Sequence, residues 1–87
     1  MDVEFDTEKA DSNLKKHGVS FEEAMTVLLD PMALCIEDRV AENESRWVLI
    51  GLSQVARMVT VVYTLRDERI RIISARKSTR REIKDYA

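Results

Sequence analysis

The sequence predicts a single α+β domain over residues 1–87, in which helices near both ends pack on a small antiparallel sheet. The 87 residues, 45% of them apolar, suffice for one core and leave no room for a second. Apolar residues recur at helical spacing between residues 7 and 28, whereas residues 46–76 form β-rich runs separated by short turns. The predicted order is β-α-α-β-β-β-β-α.

A first strand at residues 2–5 and a helix are predicted at the N-terminal end. Asp6 or Thr7 can cap this helix, which continues to about Lys16. Gly18 then follows two cationic residues, as expected for a left-handed residue that ends a helix. The predicted inward stripe comprises Ala10, Leu14 and His17, with Asn13 beside it.

A second helix is predicted to begin after Ser20. Ser20 and Glu23 form the S-x-x-E pattern of a capping box. Asp30-Pro31 ends the helix, because the residue before a proline avoids helical geometry. The apolar residues at helical spacing are Phe21, Ala24, Val27 and Leu28.

Four more strands are predicted in the middle of the chain. They cover residues 33–36, 46–52, 57–65 and 68–76, and the acidic stretch at residues 38–45 is interpreted as a loop. A tight turn at Arg66-Asp67-Glu68 is expected to join the last two strands into a hairpin.

The last predicted strand begins with alternating arginine and isoleucine. Arg69 and Arg71 therefore share one face of the strand, and Ile70 and Ile72 share the other. This alternation is typical of an antiparallel strand with one face on the core.

A basic helix is predicted to follow from about Thr79. Thr79 and Glu82 form a second capping-box pattern, and Ile83 is the expected apolar anchor of the helix. Tyr86 lies so near the end of the sequence that fraying is expected there. The cationic residues of this helix are Arg80, Arg81 and Lys84.

The two halves of the sequence carry opposite charge. Residues 1–45 contain twelve acidic and four basic side chains, whereas residues 46–87 contain four acidic and ten basic ones, eight of them arginine. Arginine suits bidentate contact with phosphate, so the second half is a candidate nucleic-acid surface. Alternatively, the two halves pair in the folded protein and their charges cancel.

Several chemistries and locations are disfavoured by the sequence. Cys35, the single cysteine, can form neither an internal disulfide nor a zinc site, and its apolar surroundings are more typical of a core residue than of a catalytic thiol. Nucleotide-binding, serine-hydrolase and zinc-protease motifs are absent, so neither a metal nor a cofactor is expected. The acidic start and the lack of a long apolar stretch predict a cytoplasmic protein with no membrane contact.

RNA cleavage is a reaction that these residues could support without a metal. A phosphodiester attacked by its own 2′-hydroxyl needs a base, a cation on the developing phosphorane and an acid at the leaving 5′-oxygen. His17, the single histidine, could act as acid or base, although ending the first helix is its simpler role. Tyr63 lies in an apolar run and is interpreted as a core residue. The cationic candidates are Arg71, Arg76, Lys77, Arg80 and Arg81.

Three motifs of the sequence resemble the BrnT toxins of type II toxin–antitoxin pairs. They are F-D-x-x-K-A at residues 5–10, N-x-x-KHGVSFEEA at residues 13–24 and RIRIISARKSTRREIKDY at residues 69–86. The joint presence of the last two motifs is specific, and the resemblance covers nearly the whole chain. It implies a RelE-like fold and a ribonuclease activity that reduces translation.

The resemblance also implies where RNA would bind. RelE-like toxins use Lys, Arg and Tyr side chains on the sheet and the C-terminal helix. By this analogy Arg71, Arg76 and Arg80 are implied to be catalytic, with His17 as a further catalytic candidate. The implied RNA phosphate-binding residues are Arg69, Lys77, Arg81 and Lys84.

A protein partner is implied as well, because BrnT toxins are neutralised by a BrnA-like ribbon-helix-helix antitoxin. Operator DNA is then expected to be contacted only through the antitoxin, in keeping with the acidic Glu22 and Glu23, which phosphates would repel. An acidic antitoxin segment is expected to cover Arg71 and Arg80. Two alternatives remain open: an inactive module that binds the antitoxin and acts as a co-repressor, and a DNA-binding protein.

Overall fold

Five strands form one mixed sheet with two helices on one face and a third helix on the other. The structure, a computed structural model, describes residues 2–38 and 45–86. The predicted order of elements is confirmed. In chain order, the elements are β1 (Val3–Glu4), α1 (Thr7–His17), α2 (Phe21–Val27), β2 (Leu34–Asp38), β3 (Arg46–Leu52), β4 (Met58–Arg66), β5 (Arg69–Lys77) and α3 (Arg80–Tyr86).

The strands lie in the order β1-β5-β4-β3-β2, and the predicted antiparallel sheet has one parallel pair at its edge, between β1 and β5. β2, β3, β4 and β5 pair antiparallel, whereas β1 pairs parallel to β5. The parallel pair arises because the chain passes from β1 through two helices and three strands before it returns beside β1. Of the predicted loop at residues 38–45, Asp38 belongs to β2 and residues 39–44 lie outside the described residues.

The predicted helix ends are confirmed by their hydrogen bonds. The Asp6 carboxylate accepts the Glu8 N–H at 2.8 Å, and Gly18 ends α1 with a positive φ of 71°. Ser20 accepts the Glu23 N–H at 2.9 Å and caps α2. None of the described helices is long and apolar enough to cross a membrane.

The core lies between the helix pair and the inner face of the sheet. Phe21 and Val27 of α2 are fully buried against Val61 and Ala75 of the sheet. The prediction that Leu14 faces inward is wrong, since its side chain is 49% exposed. The buried residue of α1 is its polar neighbour Asn13.

Asn13 is buried because its amide completes the hydrogen bonding of β5. Its side-chain nitrogen donates to the Ala75 carbonyl at 2.7 Å, and its oxygen accepts the Ala75 N–H at 3.2 Å. The same nitrogen donates to the Val19 carbonyl at 2.9 Å. The Asn13 side chain thus satisfies both the N–H and the carbonyl group of Ala75, on the edge of β5 that does not pair with β4.

Two further predictions about individual side chains are wrong. Cys35 is exposed on β2, where its thiol lies 3.5 Å from the Tyr63 hydroxyl, because β2 is an edge strand of the sheet. Ile83 is 41% exposed and does not anchor α3. Polar contacts attach the helix instead, and Tyr86, expected to fray, donates to the Asp30 carboxylate at 2.7 Å.

Candidate nucleic-acid interface

The outer face of the sheet, away from α1 and α2, brings together arginines from two strands, β3 and β5, on either side of β4. Arg76, Ser74 and Arg71 of β5 lie opposite Thr60, Val62 and Thr64 of β4, respectively, and Arg46 of β3 also lies opposite Thr64. The term arginine face is used below for these seven residues: Arg46, Thr60, Val62, Thr64, Arg71, Ser74 and Arg76.

A β-bulge determines which residues of β5 reach this face. Val62 pairs with Ser74 and Tyr63 with Ile72, which leaves Ile73 as the extra residue. In a regular strand, positions 71 and 76 would point to opposite faces. The bulge reverses the alternation, so that Arg71 and Arg76 share one face. Before the bulge, the prediction that Arg69 and Arg71 share one face of the strand, and Ile70 and Ile72 the other, is confirmed.

Arg71 is held loosely by one acidic neighbour. Its guanidinium donates one hydrogen bond of 3.3 Å to Glu4, the residue opposite it on β1. Both side chains are partly exposed, at 28% and 36%. An ion pair of this length and exposure contributes little to stability, so a ligand phosphate can replace the carboxylate at small cost.

Arg76 is held far more tightly. Two of its nitrogens donate to the two carboxylate oxygens of Glu82 at 2.7 and 2.8 Å. The same carboxylate accepts from the Thr79 N–H at 2.8 Å and from the Thr60 hydroxyl at 3.1 Å. These bonds, with that from Arg76 first, lower the pKa of Glu82 from 4.5 to about 2. Arg76 therefore fastens α3 to the sheet.

The three arginines that were predicted to be catalytic do not meet at one point. Thr60 and Thr64, which mark the positions of Arg76 and Arg71, are four residues apart on β4, which places the two arginines about 13 Å apart along the strand. Arg80 is exposed in the first turn of α3, near the Arg76 end of the sheet.

The predicted phosphate-binding residues are dispersed. Arg69 is exposed on the same side of β5 as Arg71. Lys77 lies opposite the buried Val59 and so is on the other side of the sheet. Arg81 and Lys84 are exposed on α3, and Arg81 lines a groove between α3 and the β2–β3 strands.

His17 lies at the edge of the arginine face. It is the last residue of α1 and lines a groove between this helix and the bulge of β5, whose charged lining comprises Lys9, Lys16, Asp6 and Glu8. Ser74 lines the same groove and belongs to the arginine face. The imidazole is therefore beside the arginine face, in a position where a bound strand could reach it.

The two tyrosines do not provide a base. Burial, and secondly the contact with Cys35, raise the pKa of Tyr63 far above its usual range, and the ring stacks on Trp47. The prediction that Tyr63 packs with the core is confirmed. The hydrogen bond to Asp30 raises the pKa of Tyr86. Both hydroxyls thus remain protonated at neutral pH.

The opposite charges of the two halves cancel in part. Arg57 forms a bidentate pair with Glu23 at 2.6 and 2.7 Å and also donates to the Gly18 carbonyl. This pair and that of Arg71 with Glu4 connect the acidic and basic halves of the chain. Arg57 is therefore committed to joining α2 to the β3–β4 turn.

Sequence reasoning missed Arg46 and Glu82 as parts of this surface. Arg46 comes from a strand outside the basic segment, and only the strand register shows that it shares a row with Arg71. Glu82 was recognised as a helix cap, which is correct, since Thr79 and Glu82 exchange both hydrogen bonds of the capping box. Nothing in the local pattern indicated that it also binds Arg76.

A larger and more apolar groove among the described residues lies elsewhere. It has a volume of about 610 Å³ and is lined by Val3, Met25, Leu29 and Ile70, with Glu22 at its border. It has no basic side chain, so its chemistry does not suit a phosphate. The arginine face and the adjoining His17 groove are the region that suits RNA.

Comparisons with known proteins agree with this fold. The family model described as "Ribonuclease toxin, BrnT, of type II toxin-antitoxin system" matches residues 5–82. The crystal structure of the ribonuclease toxin BrnT from Brucella abortus is similar with a TM-score of 0.69, at 22% identity over 92% of this chain and 99% of that chain. No curated protein matches the chain. Because the family model spans most of the sequence, the chain belongs to the BrnT family of ribonuclease toxins of type II toxin–antitoxin systems.

Proposed function

We propose that this protein is a metal-independent endoribonuclease that cleaves RNA by attack of a 2′-hydroxyl on the adjacent phosphodiester. The observation that best supports this proposal is the position of Arg71. Its guanidinium is partly exposed and held by one bond of 3.3 Å, so it can donate to the phosphorane that develops during the reaction.

One group that moves a proton is proposed from the same surface. His17 lines the same groove as Ser74 of the arginine face, and imidazole is the side chain best suited to gain and lose a proton near neutral pH. In this proposal His17 acts on the 2′-hydroxyl or on the leaving 5′-oxygen. Arg76 and Arg80 form the cationic surroundings at the other end of the face, and Arg69, Arg81 and Lys84 add weaker phosphate contacts. Lys77 lies on the other side of the sheet and has no part in this proposal.

The mechanism can be tested with a purified chain free of any partner and a defined RNA. We expect cleavage in the presence of EDTA, with products that end in 2′,3′-cyclic phosphate and 5′-hydroxyl groups. An RNA with a single 2′-deoxy nucleotide at a mapped cleavage position should resist cleavage there and be cut at the other positions. Cleavage of the deoxy position would contradict attack by the 2′-hydroxyl, and complete inhibition by EDTA would contradict metal independence.

Translation is the proposed target in the cell. Tightly induced expression of this chain alone is expected to arrest growth and produce discrete messenger RNA fragments. A chain that folds, leaves growth and RNA intact and still binds its antitoxin would instead be an inactive co-repressor module. The inactive module is kept as an alternative because both Arg71 and Arg76 already have carboxylate partners in the described structure, which compete with a phosphate for them.

A cognate antitoxin follows from membership of a type II toxin family. We propose that it is a BrnA-like ribbon-helix-helix protein, that an acidic segment of it covers Arg71 and Arg80, and that operator DNA is contacted through it alone. On the toxin, α2 exposes Glu22, and Glu23 is bound to Arg57, so this helix offers phosphates no cation. Operator binding by the toxin without its antitoxin would contradict this assignment.

A further inference from the structure

A single row of residues crosses the sheet at the Arg71 end of the arginine face. Strand register places Asp38, Arg46, Thr64, Arg71 and Glu4 side by side on β2, β3, β4, β5 and β1. The two arginines occupy the middle of the row on either side of Thr64, and the carboxylates occupy its ends. Because neighbouring strands are about 4.8 Å apart, the two arginine Cα atoms are separated by about 10 Å.

Arg46 has an unused donor in this row. Its Nε is buried and has no hydrogen-bond partner among the described residues. Buried N–H groups nearly always have a partner, so an unpartnered one next to a cationic surface indicates a place where an acceptor binds. The Thr64 hydroxyl already donates to the Ser45 carbonyl at 3.0 Å, so it has no hydrogen left to donate to a bound phosphate.

Arg71 has a replaceable acceptor in the same row, since Glu4 accepts only one bond of 3.3 Å from it. A phosphodiester has two non-bridging oxygens, and two guanidinium groups from opposite sides can each donate to one of them. The two arginines rise from the same face on either side of Thr64, whose own side chain is buried, and their backbones are about 10 Å apart.

We propose that Arg46 and Arg71, on either side of Thr64, bind one phosphate of the RNA backbone and form an anchoring subsite. The inference rests on the proposed function in one respect, that RNA is the substrate. Arg46 is a binding residue in this subsite and takes no part in proton transfer. Strand pairing places Asp38 next to Arg46 and Glu4 next to Arg71, at the two ends of the row.

The test measures binding of a fully 2′-O-methylated RNA, which cannot be cleaved by 2′-hydroxyl attack, over a range of salt concentrations. Arg46→Met removes the charge and keeps the aliphatic stem of the side chain. We expect affinity to fall about tenfold and the slope of log affinity against log salt to lose about 0.7, the value for one single-strand phosphate contact. Lys15→Met removes one charge from an exposed site on α1 and is expected to leave the slope unchanged.

Arg46→Lys tests the geometry with the charge retained. We expect the salt slope of the wild-type protein with severalfold weaker binding, because lysine lacks the planar fork of arginine. In cleavage assays both Arg46 variants should lower kcat as well as raise KM, because the phosphate that Arg46 shares with Arg71 is the one that becomes the phosphorane. The combined Arg46→Met and Arg71→Met variant should lose less affinity than the product of the two single losses, because both arginines contact one phosphate.

Three outcomes would overturn the subsite. They are an Arg46→Met protein with unchanged melting temperature and unchanged salt slope, an Arg46→Lys protein with wild-type affinity, and loss of antitoxin binding without loss of RNA binding. The last outcome would assign the row to the antitoxin. A wild-type protein that binds RNA through Arg46 but never cleaves it would contradict the proposed nuclease and leave the subsite standing.

Discussion

The two ends of the arginine face have the same kind of residue in very different surroundings. At one end Glu82 binds Arg76 through two bonds of 2.7 and 2.8 Å, and its carboxylate also holds Thr60 and Thr79. At the other end Glu4 accepts one bond of 3.3 Å from Arg71. The first arginine is part of the fold, and the second is available to a ligand. Counting arginines in a basic segment therefore overstates the number that can bind RNA.

The largest effect is expected at the available end. Replacement of Arg71 by alanine should lower RNA cleavage by about 100-fold or more, as for loss of one donor to a transition-state oxyanion. The melting temperature should change little, because the pair with Glu4 is partly exposed. The comparison requires cleavage assays and thermal unfolding of Arg71→Ala beside Lys15→Ala. Full activity of a folded Arg71→Ala protein would contradict both the site and the comparison.

At the Arg76 end of the arginine face, loss of the ion pair is expected to lower the stability of the fold. Glu82→Ala should lower the free energy of unfolding by about 2 kcal/mol, since it leaves Arg76, Thr60 and the Thr79 N–H without their acceptor. Glu4→Ala is the matched variant and should cost less than about 0.5 kcal/mol. Urea unfolding measures both changes. Equal losses would show that the two ion pairs do not differ as their geometry indicates.

Acidification should remove the stabilisation that the Glu82–Arg76 ion pair provides, between about pH 5 and pH 2. The folded-state pKa of Glu82 is lowered from 4.5 to about 2, so its contribution is complete above about pH 5 and disappears as the pH falls toward 2. Glu23 and Asp30, whose pKa values are lowered mainly by bonds from Arg57 and from the Leu52 N–H, act in the same direction. The stability difference between wild type and Glu82→Gln should therefore narrow on acidification. A difference that stays constant in urea titrations from pH 6 to about pH 2.5 would count against this role.

The smallest effect is expected for Tyr86→Phe, which tests a second attachment of α3. The variant loses the bond from the hydroxyl to Asp30, and its melting temperature should fall by less than that of Glu82→Ala. RNA cleavage should be retained, because this hydroxyl binds the protein itself. Thermal unfolding and the cleavage assay measure the two parts, and a large loss of cleavage at unchanged stability would instead place Tyr86 in the active site.

The element order and helix ends could be predicted because their signals are local. Asp6, Gly18 and Ser20 each act on backbone groups within a few residues, so the sequence pattern contains the whole interaction. The hairpin turn at Asp67 and Glu68, where both residues have positive φ, was found in the same way. Family resemblance supplied the function, since composition and spacing alone left several possibilities open.

The features that could not be predicted depend on contacts across the sheet. The strand pattern gave no partner for Arg46, and the helix pattern could not show that Glu82 and Tyr86 rather than Ile83 attach α3. The bulge did leave a signal, because two consecutive isoleucines at positions 72 and 73 interrupt the alternation of arginine and isoleucine. The bulge at that point reverses which face the following side chains occupy, and so it brings Arg71 and Arg76 to one face.

The amide of Asn13 has a consequence for how the molecule behaves among its own copies. β1 covers only two residues of β5, so the rest of that edge could accept a strand from a neighbouring molecule. By bonding both backbone groups of Ala75, Asn13 acts as a one-residue strand and closes this edge to further pairing. A single buried polar side chain thereby removes the backbone groups of Ala75 from the partners that this edge could offer to a strand of a neighbouring molecule.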